Sequence, residues 1–198
     1  MFTSSSLLTT ILAALTLTST TSCTPSPLSG AFTPNPTHLE FTTLLDGPAH
    51  LSPTSNSTNP QARTTRFECW QLSNAFQTSP QAGTSGSVQL SLGDLSNGTY
   101  THFSKSSPGT PHNAPFPQYV FLLSGSLTIR LPNDTRTVKM GAGEGSIAAD
   151  LGGTGHLTDW EAGTSVLQVP FGGGKVPAHK VLHQGSCRTE DNLQYSHK

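Results

Sequence analysis

The chain has 198 residues, 33% of them hydrophobic and 11% charged, with a formal net charge of −1. That length suits one domain with non-core ends, and the lack of any Lys/Arg cluster removes the electrostatic basis for gripping nucleic acid or an anionic membrane. With 19 Gly and 15 Pro beside so few charges, many tight turns are expected rather than long salt-bridged helices.

Residues 1–22 read as a signal peptide: an apolar run from Leu7 to Leu17 precedes small residues, and cleavage is expected between Ser19 and Cys23. The run is shorter than the roughly 20 residues a bilayer span requires, so no stable membrane insertion is expected. Residues 23–65, rich in Thr, Ser, Pro and Asn, read as a disordered leader or arm, with room for one strand at Leu39 to Leu45. Asn56, Asn97 and Asn133 head Asn-x-Ser/Thr sequons, in keeping with passage through a glycosylating compartment. The cysteines Cys23, Cys69 and Cys187 are too far apart for a zinc ribbon or a CxxC pair. Cys23 lies at the cleavage boundary, which leaves Cys69 and Cys187 as the expected bridge in an oxidising compartment. The expected location is therefore outside the cell or in the secretory lumen.

The folded part is expected over 66–172. Phe67, Trp70, Leu72 and Phe76 introduce large apolar side chains, and Val88, Leu90 and Leu92 alternate onto one face. Strands are predicted at Thr99 to Phe103, Gln118 to Leu123, Ser126 to Leu131, Thr135 to Met140, Ser146 to Ala149 and Ser165 to Phe171, each bounded by turn residues. No segment combines a helical period with caps, so the fold class is all-β, a sandwich or a barrel. Residues 173–198 read as a C-terminal extension. His179 and His183 have a spacing that would bind metal on a helix, but the Gly/Pro-rich approach favours a mobile tail.

The most informative stretches are PHNAPFPQYVFLLSG, from Pro111 to Gly125, and GEGSIAADLGGTGH, from Gly143 to His156. Together they resemble the two motifs of the cupin superfamily, over roughly residues 85–172. His112 takes the first His position of that pattern, Ala114 the second, Gln118 the Glu position and Gly125 the closing Gly; Gly145, Gly153 and His156 match the second motif, with Leu151 in place of its Pro. The resemblance implies a small cupin-type (jelly-roll) β-barrel. It also implies a divalent transition metal (Fe, Cu, Ni, Mn or Zn) at His112, Gln118 and His156, the same three being the candidate catalytic residues. The loss of one His and the Glu leaves a metal-free barrel as the alternative. The string HNAPFPQY with GTGH is similar to small secreted fungal cupins, some described as oxidoreductases of secondary-metabolite pathways.

Around this set, Asp150 is the nearest spare carboxylate, and Tyr100 and His102 share one face of the preceding strand, a second tier of cavity candidates. Phe103, Tyr119, Phe121 and Trp160 are expected to pack the barrel. Three functions follow: an oxidoreductase acting on a small aromatic or polyketide-derived molecule, a metal-independent isomerase, dehydratase or cyclase using His as acid and base, and a non-catalytic secreted binding protein. The expected partner is a small-molecule substrate, with a homodimer allowed.

Overall fold

The computed structural model describes residues 37–47, 64–132 and 134–187, and the signal-peptide region, Asn56 and Asn133 lie outside them. Among the described residues there are twelve strands and no α-helix. In chain order they are β1 (His38–Gly47), β2 (Thr64–Ala75), β3 (Gln77–Thr78), β4 (Val88–Gln89), β5 (Thr99–Phe103) and β6 (Gln118–Ser124). β7 (Ser126–Arg130), β8 (Thr137–Gly141), β9 (Gly145–Ala149), β10 (Leu157–Trp160), β11 (Thr164–Pro170) and β12 (His179–Gln184) follow.

Seven strands form one sheet in the order β12-β2-β1-β9-β6-β11-β5, three form a second in the order β10-β7-β8, and β3 and β4 make a small hairpin. Pairing in the large sheet is antiparallel except between β1 and β9, which run parallel with Leu44 opposite Ala148. Both faces of the large sheet are apolar, and alternation along each strand decides which side chain goes where. On the inner face, Leu44, Phe67, Val120, Leu122, Ala148 and Val166 pack with Leu127, Ile129, Val138 and Met140 of the small sheet. On the outer face, Phe41, Trp70, Leu72, Tyr119, Ile147 and Phe171 form a second cluster, with Leu90 and Leu92 against it. Those two leucines meet the outer cluster as expected of their alternation, but β4 is two residues long and Val88 is exposed.

Two boundaries differ from the sequence reading. The strand allowed at Leu39 to Leu45 within the arm is present as residues 38–47, but it is a central strand of the folded sheet, because the run LEFTTLL supplies Leu44 to one apolar cluster and Phe41 to the other. Residues 179–184, read as part of a mobile tail, are the edge strand β12 on β2. Three contacts hold them there. Cys187 is bonded to Cys69 with Cα atoms 4.5 Å apart. The Gln184 amide donates to Glu68 Oε1 at 2.9 Å. The His179 ring stacks flat on Trp70 at 3.5 Å between centroids. His179 and His183 thus belong to a strand, where neither the spacing nor the surroundings resemble the helical pair considered above.

Candidate functional site

A cavity of about 100 Å³ lies between the inner face of the large sheet and the small sheet. Strand register builds its walls in rows. Leu44, Ala148 and Gln118 are cross-strand partners over β1, β9 and β6, and Ser146, Val120 and Gln168 form the next row over β9, β6 and β11. Opposite them, Ile129 faces Thr158 and Leu127 faces Trp160 across β7 and β10. Because side chains alternate, His156, Thr158 and Trp160 share the face that lines the cavity, while Asp159 between them turns outward.

His112 sits at the mouth, exposed, and His156 inside, 6% exposed. Their backbones exchange two hydrogen bonds of 2.9 Å, His112 N to His156 O and His156 N to His112 O. This bridge brings the rings to 4.3 Å between centroids. It requires Gly155: that residue has φ of 66°, and a Cβ there would meet the His112 carbonyl.

Each ring is anchored through Nδ1. His156 Nδ1 lies 2.7 Å from Asp150 Oδ2, and Asp150 is wholly buried. The second carboxylate oxygen, Oδ1, has no hydrogen-bond partner among the described residues. A buried carboxylate with one contact favours a donor there, so Nδ1 of His156 is the nitrogen that carries the proton in the neutral ring, and Nε2 is the one that carries the lone pair. His112 Nδ1 lies 2.8 Å from the Thr110 carbonyl, which can only accept, and the same tautomer follows. The result is two adjacent imidazoles that, in their neutral forms, both present Nε2 as the acceptor nitrogen.

The segment leading to His112 is held by an ion pair. Arg130 binds Asp159 through two hydrogen bonds of 2.7 and 2.8 Å, and Gly109 N donates to the same carboxylate at 2.8 Å. These bonds, the guanidinium's first, pull the Asp159 carboxyl down to about 2, so the clamp stays ionised throughout the range in which imidazoles titrate.

His112, Gln118 and His156 all line this one cavity. Asp150 does not: it stands behind His156, as its anchor. Tyr100 and His102 are also outside, a correction with a simple cause. The register of β5 turns Thr101 and Phe103 inward, and Tyr100 and His102 instead meet Ser165 Oγ on the outer face, at 3.0 and 2.9 Å. Phe103 packs on the inner cluster and Tyr119 in the outer one, with Phe121 against it, whereas Trp160 is a cavity wall as well as packing. Ser146, Thr158 and Gln168 were not singled out from the sequence. Thr158 follows from His156 by alternation once β10 is read as a strand, and Gln168 from the parity of β11. Asn97 is exposed just before β5.

As a metal centre the donors would be His112, Gln118 and His156, two imidazoles and an amide, all neutral. Ala114 on the same wall has no donor atom, and the Asp150 carboxylate is engaged by His156 Nδ1. Such a set suits an ion taken up weakly. Among the described residues, the one grouping of three His, Cys, Asp or Glu ligand atoms within 4.8 Å of one another is Glu40, Cys69 and Cys187, whose sulfurs are bonded to each other.

No protein-family model, no curated protein and no solved structure matches the chain.

Proposed function

We propose that the two sheets form a cupin-type barrel whose cavity is an acid–base site for a small carbonyl compound, catalysing an isomerisation, dehydration or cyclisation. The observation that carries this reading is the buried hydrogen bond between Asp150 and His156, which orients the ring and makes Nε2 the basic nitrogen of the neutral imidazole that lines the cavity. Asp150 holds the tautomer and stabilises the imidazolium that forms when Nε2 takes a proton from carbon. The Gln118 amide N–H₂ polarises the carbonyl, so the electron pair released from the C–H bond moves onto oxygen. His112, at the mouth, exchanges the proton with solvent or returns it to the product.

The expected assay is deuterium incorporation next to the carbonyl of acetone and of pyruvate in D₂O, followed by NMR, with and without prior chelation. Exchange should survive the chelator and fall about 10²-fold or more in His156→Ala, with a smaller loss in Asp150→Asn. No exchange above the rate of the His156→Ala variant overturns the proposal.

The second reading is an oxidoreductase, favoured by the same buried carboxylate, since metal-bound imidazoles are commonly oriented this way through their other nitrogen. A bound transition metal would supply Lewis acidity or electron transfer, with His112, Gln118 and His156 as its donors. Gln118→Glu adds an anionic ligand, and a rise in copurified metal with a rise in turnover selects this reading. Export fits both. It is supported by the Cys69–Cys187 disulfide and the exposed Asn97 sequon, and among the described residues no helix is long and apolar enough to cross a membrane.

A further inference from the structure

The cavity is small for the substrates that the resemblance implies. An apolar protein cavity of about 150 Å³ is what holds a benzene molecule, and liquid water takes about 30 Å³ per molecule. The present cavity, about 100 Å³, has room for three or four water-sized groups and none for an aromatic ring. Resting on the acid–base reading of this site, we infer that the reacting end of its substrate is a short aliphatic carbonyl fragment, and that Trp160 is the residue that excludes aromatic ones.

The walls explain why the space does not grow to fit. Leu44, Leu127 and Ile129 are 1%, 2% and 4% exposed and belong to the close-packed inner cluster. Interiors at that density yield little without strain. Room for the cavity comes from small side chains on the other walls, Ala114, Ala148 and Ser146. Trp160 is the largest side chain facing it, and it is fixed twice. Its ring stacks on Phe103 at 4.3 Å and 10°. Its backbone exchanges hydrogen bonds of 2.8 and 2.9 Å with Ser107. An indole held in this way cannot swing aside for a ring-sized guest. No Lys or Arg lines the cavity, so the fragment is recognised through the hydrogen bonds of Gln118, Gln168, Ser146 and Thr158 and not through a fixed cation.

The test uses two probes of different size, acetone and benzaldehyde, titrated into the full exported protein. Binding is read from the imidazole ¹⁵N resonances of His156, which require no turnover. Acetone should shift these resonances saturably in the wild type and benzaldehyde should not. In Trp160→Ala, benzaldehyde should bind at least about tenfold more tightly than to the wild type, the range expected when pocket volume decides. Trp160→Leu, which keeps more of the wall, serves if the alanine variant does not fold. Benzaldehyde binding to the wild type as well as acetone does, failure of acetone to bind, or failure of both variants to admit benzaldehyde overturns the inference. If the size ladder holds while deuterium exchange is absent, the acid–base reading falls and the size limit stands.

Discussion

Tyr119 illustrates how one residue ties the sheet to its environment. Its ring is fully buried between Phe41 and Phe171, with centroids at 5.3 and 4.7 Å, and its hydroxyl donates to the Leu92 carbonyl at 3.2 Å. Burial pushes its phenol up to about 12, because the phenolate would have to form out of water. The consequence for stability has a definite sign. Above pH 10 the unfolded chain loses this proton and the folded one does not, so stability falls as pH rises from about 10 to 12. That decline is on the order of 2 to 3 kcal/mol by the size of the shift. Urea titrations at pH 8, 10 and 11.5 should show it. In Tyr119→Phe the pH dependence should flatten, and an unchanged alkaline slope would assign it to other groups.

At the scale of elements, the site depends on two extended segments that touch only because one residue between them has no side chain. The bridge between His112 and His156 runs through Gly155, whose positive φ and close approach to the His112 carbonyl leave no place for a Cβ. Gly155→Ala should therefore separate the rings at a cost of about 1 to 3 kcal/mol in stability. The far walls should be little affected. Under the acid–base reading its activity should fall towards that of His156→Ala, while near-UV circular dichroism from Trp70 and Tyr119 on the outer cluster stays native. Retained activity would show that His112 need not sit beside His156.

Over the whole molecule, the bond between Cys69 and Cys187 spans 118 residues of sequence and fastens β12 to the sheet edge. Closing so long a loop restricts the unfolded chain strongly, and loss of a native disulfide from a small domain costs about 2 to 5 kcal/mol. Cys187→Ala should lower stability by that amount, with hydrogen exchange accelerated first at His179–Gln184. The cavity is lined by β1, β6, β7, β9, β10 and β11 and by none of β12, so ligand binding should persist below the melting transition. Loss of acetone binding in the folded variant would mean that the edge strand shapes the site after all.

Much of this was legible in the sequence, and for local reasons. The all-β class, the six predicted strands near their observed ends and the disulfide follow from alternation, turn residues and cysteine count, each of which acts over a few positions or through covalent chemistry. That His112, Gln118 and His156 share one cavity was an expectation of the cupin resemblance, and all three line the cavity between the sheets. What could not be read there is decided by pairing between distant segments. β1 looked like part of a polar arm because its apolar run is short, and it becomes central only when the parallel β9 and antiparallel β2 take up its hydrogen bonds. β12 has little apolar content of its own, and the disulfide, Glu68 and Trp70 provide its place. The inward or outward parity of Tyr100 and His102, the position of Asp150 behind His156, and the volume left beside Trp160 depend on register and on facing sheets. A sequence specifies the alternation of side chains along each strand, but which face is the interior, and how much space remains there, is fixed only when the strands have met.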